Sequence, residues 1–207
     1  WKNPGISKSN RSGYGLVVGR IQSGKTAHII GLSMRAMDTV LNDTGNEYNT
    51  VIILSGLLED LRKQTFSRIW DMGIDGVRIF PREADFKEKN ETAKEELFEA
   101  FGNVEPCILV VKKHYIVIDA ILEYLAEDQI DMLMGERRIL IIDDECDHAS
   151  IDSRHAESDE NLNEVTETNR AVRKLILSCL RSKSNQWYLG YTATPYSNLL
   201  MDPEPDY

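Results

Sequence analysis

Apolar residues gather along this chain into short runs, separated by amphipathic stretches long enough for three or more helical turns. The runs are Gly15 to Val18, Thr50 to Leu54, Gly76 to Phe80, Pro106 to Val111, Arg138 to Ile142 and Trp187 to Tyr191. They are nearly continuous instead of alternating, and Val and Ile dominate them, which suits strands covered on both faces. Between them the spacing predicts helices over Lys25 to Leu41, Leu57 to Met72, Lys87 to Phe101, Tyr115 to Glu127 and Val165 to Arg181. In the last of these Val165, Ala171 or Val172, Leu175, Ile176 and Cys179 recur at three- and four-residue steps beside Arg170, Arg173 and Lys174, an apolar stripe facing a core. Strand and helix alternate throughout. The fold class expected is therefore α/β, a mainly parallel sheet with helices on both faces, whose ligands collect at loops beyond the carboxyl ends of the strands.

Composition changes this picture little. The chain has 207 residues, 42% hydrophobic and 28% charged, values of an ordinary globular protein able to bury a core without staples. No stretch approaches the roughly 18 apolar residues of a membrane span, and the first residues lack the apolar run of a signal peptide. A cytoplasmic protein without membrane contact is expected, with Cys107, Cys146 and Cys179 reduced because their number is odd and their spacing fits neither a zinc knuckle nor a redox pair. The formal net charge of -10 excludes a protein that coats nucleic acid by global electrostatics, so any such contact must be local. Residues 1–12 read as a lead-in, 13–201 as one domain, and 202–207, Asp-Pro-Glu-Pro-Asp-Tyr, as the start of a linker. With Trp1 in first place, the whole reads as a piece of a longer protein.

The strongest chemical signal is Gly19-Arg-Ile-Gln-Ser-Gly-Lys-Thr26, which matches G-x-x-x-x-G-K-T between an apolar strand and a helix. Gly19 and Gly24 permit a tight turn in which backbone N–H groups, those of Gln22 and Ser23 included, point at phosphate oxygens. The helix that follows adds its positive N-terminal end. In this pattern Lys25 reaches the β- and γ-phosphates and Thr26 offers its hydroxyl to magnesium, so ATP and Mg2+ are the expected cofactors.

A second signal is the apolar strand Arg138 to Ile142 running straight into Asp143-Asp-Glu-Cys-Asp147. Acids at a strand's carboxyl end can face a phosphate loop of the same sheet. Asp144 is expected to hold magnesium and Glu145 to orient or deprotonate the attacking water, with Asp143 the alternative for the metal.

Taken in order, these segments resemble superfamily-two helicases. Gly19 to Thr26 looks like motif I, Asp144-Glu-Cys-Asp147 like the DEAD-type motif II, and Thr192-Ala-Thr194 like motif III. The longer wording, Gly15 to Thr26, Leu140-Ile-Ile-Asp-Asp-Glu-Cys-Asp-His-Ala-Ser150 and Gly190-Tyr-Thr-Ala-Thr-Pro-Tyr196, is similar to the Z-one domain family, which accompanies helicase-like and endonuclease-labelled proteins, mainly of bacteria. The resemblance spans about Gly13 to Leu200. It implies the first of two RecA-like lobes, an ATP hydrolase whose arginine finger belongs to a second lobe, so that this lobe alone binds nucleotide better than it hydrolyses it.

The resemblance also places Arg62 and Lys63 where motif Ia falls and Lys112, Lys113 and His114 where motif Ib falls. Arg62, Lys63, Lys112 and Lys113 are thus the expected contacts to the nucleic-acid backbone, DNA in first place. Thr192 and Thr194 are expected to couple the catalytic acids to that side. A nuclease module is a further partner implied by the family label, but the chain itself has no glutamate followed two positions later by lysine, so cleavage by this segment is disfavoured. The function expected is the ATP-binding lobe of a helicase-like DNA translocase. A nucleotide-gated protein switch and the ATPase part of an endonuclease system are the alternatives.

Overall fold

The computed structural model describes residues 12–19, 24–41, 48–82, 85–86, 91–135, 137–146, 160–181 and 186–193. In chain order the elements are β1 (Ser12–Val18), α1 (Lys25–Leu41), β2 (Thr50–Ser55), α2 (Glu59–Trp70), β3 (Arg78–Phe80), α3 (Glu91–Gly102), β4 (Cys107–Lys112), α4 (Tyr115–Leu125), α5 (Asp128–Met134), β5 (Ile139–Asp143), α6 (Glu160–Arg181) and β6 (Gln186–Thr192). The strands form one sheet in the order β1-β6-β5-β2-β4-β3, and every pairing is parallel.

This order explains the two cores. From β1 the chain steps outward to β2 and then β3, and afterwards returns through β4 and β5 to β6. Crossovers in such sheets share one hand, so the outward helices α1 and α2 cover one face and the returning helices α3 to α6 cover the other. Ile29, Ile30 and Met37 of α1 with Phe66 and Ile69 of α2 pack on Val51, Ile53, Val110 and Ile142. On the opposite face Leu97, Val117, Ile121, Ile130 and Leu175 pack on Ile52, Leu54, Leu109 and Ile141. Consecutive residues of each central strand go to opposite faces, and both faces are buried, which is why β2, β4 and β5 read as unbroken apolar runs.

All six expected strands are present. The short helix α5 was not expected: among its seven residues only Ile130 and Met134 are buried, too few to show a period. Helix α2 begins at Glu59 instead of Leu57, because Leu58 is its extended N-cap residue, with φ -93° and ψ 139°. No helix among the described residues is long and apolar enough to cross a membrane. The three cysteines are buried thiols.

Candidate functional site

Because the sheet is wholly parallel, the carboxyl ends of all its strands lie along one edge, and the sequence motifs meet there. Register sets Val18 beside Thr192, Gly190 beside Asp143, Asp143 beside Leu54, and Leu54 beside Val111. One strand, β6, separates β1, which leads into the Gly19–Thr26 motif, from β5, which ends in the acids. Two strand spacings amount to roughly 10 Å, a gap that phosphate oxygens and a cation can span.

At the β1 end, the Gly19 amide donates to the Thr192 carbonyl at 2.9 Å, joining the start of the loop to the end of β6. Gln22 and Ser23 lie outside the described residues, as does Thr194. Gly24 has φ +78°, a left-handed conformation that strains any residue with a side chain. Its carbonyl accepts the first bond of α1, from the His28 amide at 3.0 Å. Lys25 and Thr26 follow in the first turn, both half-buried, where backbone N–H groups have no intrahelical acceptor.

The acids at the end of β5 differ sharply from one another. Asp143 is fully buried and both its oxygens are engaged: Oδ1 accepts from Lys113 Nζ at 2.8 Å and Oδ2 from the Tyr188 hydroxyl at 2.7 Å. Asp144 Oδ1, although buried, has no hydrogen-bond partner among the described residues. Burial, and then the charge of Glu145, push the Asp144 carboxyl above its usual range, while Lys25 and Lys113 oppose the rise. Lys25 therefore lies within electrostatic reach of Asp144. Glu145 has φ 55°, and its Oε2 comes within 3.8 Å of the position a Cβ on Gly56 would take, so its carboxylate looks across the end of β2. The turn is pinned by the Asp144 amide on Leu54 O at 3.0 Å and the Cys146 amide on Tyr191 O at 2.8 Å.

Among the described residues no three His, Cys, Asp or Glu side chains converge as a metal cage. Magnesium typically takes one or two carboxylates and completes its shell with waters and substrate phosphates. A buried carboxylate oxygen without a partner on Asp144, within electrostatic reach of Lys25, and the hydroxyl of Thr26 in the first turn of α1 are donor types that fit such an ion.

Two of the four basic residues expected on the surface are not there. Arg62 is fully buried, because it shares the inward stripe of α2 with Thr65, Phe66 and Ile69. Its guanidinium donates to Glu59 Oε1 at 2.7 and 2.9 Å and to Pro81 O at 3.0 Å. Lys113 is also fully buried, turned inward onto the acidic turn. Neither is available to a phosphate backbone. Lys63 is exposed and Lys112 half-buried.

Sequence reasoning missed three aromatic or imidazole groups at this edge. Tyr188 serves Asp143, as above. Tyr191 is buried in β6 and its hydroxyl bonds His28 Nδ1 at 2.9 Å; burial, then the charge of Asp144, push that phenol up to about 12. For the two tyrosines the signal available was their place in the strand that runs into Thr192; for His28, in the first turns of α1, there was none.

No protein-family model matches the chain, and no curated protein matches it in sequence. Among solved structures, the chain is similar to a nuclease-deletion mutant of the Type ISP restriction-modification enzyme LlaGI, determined in complex with a DNA substrate mimic. The TM-score is 0.50 and the identity 15%, over 91% of this chain and 16% of that one. At that identity the likeness is one of fold. The chain spans about one sixth of that enzyme's length.

Proposed function

We propose that this chain is an ATP-binding lobe of a helicase-like motor that hydrolyses ATP when a second RecA-like lobe completes it. The observation that supports this reading is a buried oxygen of Asp144 without a partner at the sheet edge where α1 begins with Lys25, whose charge reaches that carboxyl. Lys25 would bind the β- and γ-phosphates, and Thr26 and Asp144 would hold Mg2+. The ion would neutralise phosphate charge and align the phosphates. Glu145, on its projecting turn, would orient the attacking water and accept its proton. Asp143 supports the choice of Asp144 for the metal, since its own oxygens are already engaged. Thr192, tied to Gly19 through the backbone, would couple the nucleotide to the far side of the sheet edge, together with Thr194.

DNA as the track is favoured by the fold shared with an enzyme determined on a DNA mimic, and by Lys63 in α2, the helix that follows β2, and Lys112 at the end of β4. The narrower likeness to the Z-one domain rests on the motif wording, and a nuclease module in the parent rests on the same label. A nucleotide-gated protein switch is the second reading, and the burial of Arg62 and Lys113 favours it by removing two of four candidate phosphate contacts. ATP turnover by the full-length parent, measured with and without single-stranded DNA, separates the two. Stimulation that falls when Lys63 and Lys112 are replaced by Ala supports the motor, and turnover indifferent to DNA supports the switch.

A further inference from the structure

Lys113 follows β4 directly, and its amide continues the sheet by donating to Ser55 O at 2.9 Å. Its ammonium has three hydrogens and meets three oxygens: Asp143 Oδ1 at 2.8 Å, the Asp144 carbonyl at 2.9 Å and the Glu145 carbonyl at 2.6 Å. Two of these belong to the backbone of the residues whose side chains face the phosphate site. Glu145 holds φ 55°, a region side-chain-bearing residues enter rarely and leave unless surroundings hold them there. We propose that Lys113 is a positioning residue, a tripod that keeps the turn from Asp143 to Glu145 in the conformation that presents Asp144 to the cation and Glu145 to the water. The inference rests on the nucleotide reading above and assigns a new part to it.

The geometry requires an ammonium. Three acceptors converge on one atom, which a planar guanidinium cannot serve and an apolar side chain leaves unsatisfied. A plain core ion pair would explain the contact with Asp143 but not the two carbonyls. Outer partners of this kind, which orient a metal ligand without touching the metal, typically alter metal affinity about 10- to 100-fold when replaced.

Replacing Lys113 alone would strand the buried Asp143, so the test pairs Lys113→Met with Asp143→Asn, which removes both charges and leaves Tyr188 an oxygen to bond. Affinity for a fluorescent ATP analogue is measured in chelator and across a magnesium titration, and amide hydrogen exchange is followed in the same protein. The expected result is chelator affinity close to native, because Lys25 and its loop are untouched. The magnesium midpoint should rise about tenfold or more, and exchange at Asp144, Glu145 and Cys146 should quicken while β2 and β4 stay protected. A folded double variant with native midpoint and native exchange overturns the proposal, and so does one that loses its circular dichroism altogether, which would make Lys113 a folding residue. If exchange quickens but the native chain shows no response to magnesium or nucleotide, the tether stands and the nucleotide reading fails.

Discussion

Lys113 Nζ and Asp143 Oδ1 lie 2.8 Å apart with neither side chain exposed, and this pair divides two adjacent aspartates into different roles. Asp143 belongs to the frame, so Asp143→Ala leaves an ammonium buried beside a missing partner and should cost about 3–5 kcal/mol. Asp144 is the one proposed to hold the cation. Its carboxyl is raised in the folded chain, so its contribution to stability is present below the unfolded value of about 3.9 and is lost as pH rises through the folded one. Ionising this carboxyl in its buried place weakens the fold, so Asp144→Asn should leave the melting temperature in chelator unchanged or higher while abolishing any rise on adding magnesium with ATP. Calorimetric melting of both variants checks this. A destabilised Asp144→Asn and an indifferent Asp143→Ala would reverse the assignment.

Asp85 supplies a pH dependence away from the site. Burial pushes its carboxyl up to about 6 against the hydrogen bonds from the Lys112 and Phe86 amides and the charge of Arg62. The group is an acid raised on folding, so its stabilising contribution is full below pH 3.8 and is lost as pH rises to about 6. The loss is worth roughly 3 kcal/mol. Urea denaturation from about pH 4 to pH 7 should therefore show a decline in the native chain that Asp85→Asn largely removes. Parallel curves for the two proteins would place the titration elsewhere.

Much of this fold is legible in the sequence because a doubly covered parallel sheet writes each strand as a continuous apolar run. Thr50 to Leu54 and Arg138 to Ile142 became β2 and β5 almost residue for residue. The short helix α5 could not be read, since seven residues with two buried positions define no period. At the sheet edge, a spacing pattern and a strand end were enough to put Lys25 at the start of α1 and Asp144 and Glu145 just beyond β5, and their part in binding nucleotide is the proposal. Arg62 and Lys113 were misread as surface because charge suggested solvent. For Arg62 the contrary signal was present, at three- and four-residue steps from Thr65, Phe66 and Ile69. For Lys113 it was absent, since its acceptors are 30 to 32 residues away in sequence, and only the sheet order brings them together.

Glu145 should separate binding from turnover. Glu145→Gln keeps the shape and polarity of the side chain but cannot accept a proton, so the two-lobed parent should bind ATP and Mg2+ near native affinity and lose about 100-fold or more in hydrolysis. Single-turnover assays at saturating nucleotide check the point. Hydrolysis at the parent rate would exclude Glu145 as the base and turn attention to Asp147, which lies outside the described residues.

The most direct measurement concerns Lys25 in this chain as it stands. Titration of a fluorescent ATP analogue in the presence of magnesium, with circular dichroism on the same samples, compares the native chain with Lys25→Ala. Lys25 is half-buried at the start of α1 and fills no core, so the variant should keep its fold and melting temperature. It should lose the phosphate contact that a positive charge at this loop supplies, leaving no detectable binding. Saturable binding by the native chain and none by a folded Lys25→Ala is the result expected. Equal affinity in the two proteins, or no binding by the native chain, would contradict a nucleotide site at this sheet edge.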